Sequence, residues 1–205
     1  MARASASGAE GNTRLTSVTG MVLLVMLAVE GATILQIRQL ITLHVYLGLL
    51  LLGPVLLKSL STMYRFARYY GGSAPYVEKG PPHPVLRVLG PLVIVTSLAL
   101  LGTGAGLVLE SGQGGLLLTA HKVSFFAWAA VMTVHVLGHL KEAVVASAAE
   151  VRRGPVARGR GLRLLLVVVS LAAGVAVASA VFPSASSWTS HQDRRPASGA
   201  PQSGG

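Results

Sequence analysis

The chain has no cysteine among its 205 residues. That excludes disulfides, iron–sulfur ligation, thiolate zinc sites and covalent c-type haem attachment. Charge is also scarce: 12% of residues are Asp, Glu, Lys or Arg, against roughly 25% in an ordinary globular domain. No nucleophile–base arrangement, phosphate loop or repeat of solenoid period is recognisable, so the sequence names no substrate. Gly102, Gly104 and Gly106 match part of a dinucleotide fingerprint only in spelling, because no strand precedes them.

What the chain does have is apolar surface, with 52% hydrophobic residues. A soluble domain of that composition could not cover itself, whereas a bilayer accepts apolar side chains on the outside. Five apolar segments stand out, at 18–37, 40–57, 88–109, 116–140 and 162–182. Each is near the ~20 residues that cross ~30 Å of hydrocarbon as a helix. The expected fold is an all-α integral membrane protein, a four-helix bundle over 18–142 plus a fifth transmembrane helix at 162–182. Residues 1–17 and 183–205 are polar or small and are expected to be flexible, and 143–161 forms a basic loop. Arg14 followed by the run 21–29 has the look of a signal peptide, but Glu30 interrupts it and apolar residues resume. The expectation is an uncleaved first helix.

The net charge of +10 raises nucleic acid as a partner, but its distribution points elsewhere. Lys58, Arg65, Arg68, Lys79 and Arg87 cluster between the second and third segments. Lys141, Arg152, Arg153, Arg158, Arg160 and Arg163 cluster between the fourth and fifth. The intervening turns hold only Arg38 and Lys122, and the N-terminal stretch holds Arg3 and Arg14. This is the positive-inside pattern. It predicts a cell-membrane protein with a cytoplasmic N-terminus, an extracytoplasmic C-terminus, a lipid partner and no nucleic acid.

Ionisable residues within a span are costly and are therefore functional candidates. The set is His44 and Lys58 on the second segment, and His121, His135 and His139 on the fourth. His121 and His135 are fourteen apart, which in a helix is about 40° short of four turns and a rise of about 21 Å. They share a face near opposite membrane surfaces. His44 and Lys58 repeat that interval, and the second and fourth helices run in the same direction. His44 and His121 thus lie at matching depth and can face each other across a bundle. Gly48, one turn from His44, would let a flat ring approach closely, or serve helix contact. Phe125, Trp128 and Met132 lie on the His121 face and read mainly as packing.

Histidines on the second and fourth helices of a membrane bundle, fourteen apart on one helix, resemble the di-haem cytochrome b superfamily. The resemblance covers about 18–142. It implies b-type haems held by paired histidines, passing electrons between a quinone pool and a partner redox subunit. Carried over, His44 and His121 match the ligands of one haem iron, and His135 matches one ligand of a second. The remaining position holds Lys58 where the family has histidine, so the residues supply one complete pair and half of another.

His135 and His139, at i and i+4, could instead hold a metal such as zinc, though no third ligand stands beside them. Glu30 reads as pairing with Arg38 or Lys122, or as a proton relay near a quinone. Gly102 with Gly106, and Gly174 with Ala178, read as small-residue helix contacts. Other classes remain open: a helical membrane scaffold without haem, or a proton-coupled transporter using Glu30, Lys58 and the histidines. As an enzyme the chain would be at most the electron-transfer subunit of an oxidoreductase.

Overall fold

A computed structural model describes residues 2–78, 80, 84–110, 115–152 and 159–193. Lys79, His83, Arg153 and Arg158 lie outside them, as does the tail from 194 onward. The described residues form α1 (Ala2–Leu35), α2 (Ile37–Tyr70), the one-turn α3 (Ala74–Val77), α4 (Pro84–Leu109), α5 (Gly115–Arg152) and α6 (Arg160–Asp193), with no strand among them. The protein is all-α, and five of these helices contain stretches long and apolar enough to cross a membrane: Gly8–Leu35, Ile37–Tyr70, Arg87–Leu109, Gly115–Lys141 and Arg160–Pro183. Helices satisfy every backbone hydrogen bond within the segment, which hydrocarbon demands. Outward-facing apolar side chains agree with that solvent, since Val123 is 63% and Val168 60% exposed.

The helices outrun the apolar segments that mark them. α2 has 34 residues, about 51 Å at 1.5 Å per residue, so it extends well beyond a hydrocarbon layer. Residues expected to be flexible are helical from Ala2 in α1 and as far as Asp193 in α6. Helix α5 likewise runs on to Arg152 through much of the expected loop. Hydropathy locates only the lipid-facing part, while a formed helix propagates through polar residues that pack on a neighbour. Such packing is visible in α1, where Asn12 Nδ2 donates to the Ser61 carbonyl at 3.2 Å and Thr16 Oγ1 meets Ser61 Oγ at 3.2 Å.

α1 packs on α2, α2 on α4, α4 on α5, and α5 on α1. That closes a four-helix ring in which α2 and α5 stand on a diagonal. Within the ring, Leu23, Leu51 and Val55 form a small buried cluster, with Met26, Leu27 and Leu101 against it. α6 lies chiefly against α2, outside the ring. Its contact is backbone to backbone. A Cβ on Gly53 would collide with the Ser170 carbonyl oxygen, and one on Gly174 would collide with that of Leu50. Pro54 lies inside α2 and cannot donate to Leu50 four residues earlier. The carbonyl so released is the one that faces a Gly174 Cα hydrogen, a weak C–H···O geometry common at close helix crossings. One turn on, Ala178 is wholly buried, and Tyr46 meets Phe182 edge-on at 5.6 Å.

The Gly102–Gly106 contact expected from spacing is different in the structure. Nothing lies within 4 Å of a Cβ on Gly102, while Gly106 faces Leu117 and Gly104 faces His121. The glycines that meet α5 are therefore Gly104 and Gly106, two residues apart, rather than the pair spaced by four.

Candidate functional site

The open diagonal of the ring is a cavity of about 1280 Å³, somewhat above the ~300–1,000 Å³ of ordinary ligand pockets. His44, Gly48, Lys58, His121, His135 and His139 all line it, together with Glu30, Gly104, Phe125, Trp128 and Met132. All six residues selected from the sequence thus face one space.

His44 is held from α1. Its Nδ1 lies 2.9 Å from Thr33 Oγ1 and 3.0 Å from Glu30 Oε1. The Thr33 hydroxyl donates its single proton to the Glu30 carbonyl at 2.6 Å, so toward His44 it can only accept. His44 therefore carries its proton on Nδ1. Glu30 is buried, its Oε2 has no hydrogen-bond partner, and a Cβ on Gly48 would sit 3.4 Å from Oε1. The sequence suggested Arg38 or Lys122 as the Glu30 partner; the structure brings it to His44 instead. The α1–α2 turn is a single residue, Gln36, so the two helices fold back at once and place residues 30 and 33 beside residue 44.

His121 is held the same way from α4. Its Nδ1 lies 3.1 Å from Thr103 Oγ1. Thr103 donates to the Ala99 carbonyl at 2.8 Å and is 3.0 Å from that of Leu100, so it too accepts from the imidazole. A Cβ on Gly104 would lie 3.1 Å from His121 Cε1, so a side chain there would push the ring aside by a few tenths of an ångström. Deeper along α5, Trp128 Nε1 donates to Ser97 Oγ at 3.0 Å, a second polar tie between α4 and α5.

For both imidazoles the consequence is the same. Nδ1–H is committed to a neighbouring helix, His121 also having the Leu100 carbonyl within its reach, and the side-chain partners of both rings among the described residues are all on Nδ1. A ring nitrogen left without such a partner is free to accept a hydrogen bond or to bind a metal, and metal-bound histidines characteristically donate the other N–H to an oxygen. The pair, on diagonal helices beside an apolar cavity, fits the donor set of a haem iron with one axial imidazole from each side.

The other candidates are arranged differently. Lys58 turns toward α1, where its Nζ donates to the Thr16 carbonyl, and a Cβ on Gly20 would come within 2.9 Å of that Nζ. His135 and His139 have ring centroids 4.8 Å apart, and His135 Nδ1 is buried without a partner. No group of three or more His, Cys, Asp or Glu able to hold a metal ion occurs among the described residues. The aromatic and basic residues ending α2 bond to the turn that follows and to Arg87 at the start of α4. Arg68 donates to Ser73 Oγ at 2.9 Å, and Arg87 donates to the Tyr70 hydroxyl, its guanidinium lying 5.0 Å from that ring.

Reading the sequence missed Thr33, Thr103 and Ser97. Each is a hydroxyl in a largely apolar stretch, a signal that a polar partner lies across the helix interface, but the partner's identity depends on helix pairing. No protein-family model, characterised protein or solved structure matches this chain.

Proposed function

We propose that this protein is a membrane electron carrier resembling the b-type cytochromes, with one haem b held between α2 and α5 by Nε2 of His44 and Nε2 of His121. The observation that supports it is the matched treatment of these two imidazoles. Each is fixed through Nδ1 by a threonine of a different helix, and neither has a side-chain partner on Nε2 among the described residues. Haem supplies reversible one-electron chemistry when bound; the chain's part is to bind, orient and shield it. Gly48 and Gly104 keep side-chain volume away from Glu30 and His121. Lys58 is taken up by Thr16, which favours one haem over two.

In this reading the basic loops and N-terminus face the cytoplasm, as the Lys and Arg distribution favours. The electron donor and acceptor are a quinone and a partner redox subunit.

The test is an absorbance spectrum of protein purified after expression with ample haem, oxidised and then reduced with dithionite. Soret and α bands of b type are expected, and both His44→Ala and His121→Ala should perturb them. A well-assembled protein with no such bands would leave a helical membrane scaffold as the function.

A further inference from the structure

The two imidazoles are not equivalent in their support. Thr33 and Thr103 provide matching hydroxyl acceptors, at 2.9 and 3.1 Å. Only His44 also has a carboxylate, Glu30 Oε1, at 3.0 Å from the same Nδ1. That side chain is buried, and its other oxygen has no partner. Burying a carboxyl with an unmatched oxygen inside an apolar helix bundle is costly. Its contact with His44 supplies the return. A carboxylate behind the distal nitrogen draws on the Nδ1 proton, fixes ring orientation and raises the basicity of the ligating nitrogen.

We infer that Glu30 is a positioning residue that makes His44 the dominant haem anchor, with His121 the weaker ligand of an unequal pair. The inference rests on the proposed haem site. It has two consequences. The first is unequal dependence: a chain retaining only His44 keeps haem, and a chain retaining only His121 loses it. The second is redox tuning. A more basic axial nitrogen stabilises the ferric state more than the ferrous, so removing the Glu30 carboxylate raises the midpoint potential. Losing this kind of outer partner typically weakens metal binding by about 10–100-fold. A tenfold loss confined to the ferric state corresponds to about 59 mV for a one-electron couple.

The experiment uses the full chain in detergent or nanodiscs and compares wild type, Glu30→Gln, Thr33→Val, His44→Ala and His121→Ala. Haem content, the spectrum and the potentiometric midpoint are measured on each. Helix content by circular dichroism identifies any variant that has not folded. The expected result is a raised midpoint in Glu30→Gln with haem still bound, a smaller rise in Thr33→Val, and haem retained in His121→Ala as a five-coordinate, carbon-monoxide-accessible species. His44→Ala should be depleted of haem. Equal depletion in the two histidine variants, or an unchanged midpoint in Glu30→Gln, overturns the inference while leaving the haem site standing. Should Glu30→Gln not fold, the comparison of the two histidine variants decides alone. Wild-type protein without haem bands overturns both.

Discussion

Gly53 of α2 and Gly174 of α6 mark opposite sides of one helix crossing so close that neither has room for a methyl group. Each would drive a Cβ into a carbonyl oxygen of the other helix, Ser170 in one case and Leu50 in the other. The fifth membrane helix is thus joined to the ring through backbone rather than through interdigitated side chains. Pro54 helps by withholding the hydrogen bond that would have occupied the Leu50 carbonyl.

Gly53→Val and Gly174→Val should each destabilise the protein by at least the 1–3 kcal/mol typical of overpacking, because the clashing atom is backbone and cannot rotate aside. Gly102→Ala, with nothing within 4 Å, should leave stability unchanged. Thermal unfolding in detergent would separate the three variants. Equal midpoints for Gly174→Val and Gly102→Ala would contradict the crossing described.

Thr103→Val removes the acceptor for His121 Nδ1 at nearly constant volume. For the haem site proposed above, the expected outcome is a loss of haem affinity of about 10–100-fold with the fold retained. Gly104→Ala should act on the same ring by a different route, since its Cβ would come 3.1 Å from His121 Cε1 and the ring must shift. Haem titration of the two apoprotein variants, followed at the Soret band, checks both.

Lys58→Met tests whether the lysine is a ligand or a structural donor. Its hydrogen bond to the Thr16 carbonyl predicts unchanged haem bands and a stability loss of about 0.5–1.5 kcal/mol. A halved haem content would instead mark Lys58 as part of a second site.

Ser97→Ala leaves Trp128 Nε1 without its 3.0 Å partner. Interhelical hydrogen bonds of this kind in membranes average about 0.6 kcal/mol, reaching about 1.7, so the effect on stability should be small. Trp128 emission, read in a Trp188→Phe background, should shift with the altered polarity around the indole.

The absence of cysteine makes topology easy to probe. Glu78→Cys and Glu110→Cys place single thiols at exposed positions at opposite ends of the α2–α4 pair. In intact cells, a membrane-impermeant maleimide should label the cysteine at 110 and reach that at 78 only after lysis. The reverse pattern would invert the proposed orientation.

The membrane-spanning character of this chain was written in its composition and in five apolar lengths, because transfer into hydrocarbon depends on residues summed along a segment and hardly on what lies beside it. Helical periodicity was equally legible: it put His44 and His121 at one depth and on faces that could meet, and both line one cavity. The limits of the helices were less so. Polar stretches such as 8–17 are helical because α2 offers them partners, which no local window contains. The partners of the ionisable groups belonged wholly to tertiary structure. Glu30 meets His44 because the α1–α2 turn is a single residue, Lys58 finds a carbonyl on α1, and Gly104 rather than Gly102 carries the α4–α5 contact. Hydrogen bonds reach about 3 Å and depend on the rotation of each helix about its axis, so residues far apart along the chain were paired only by the way the helices pack.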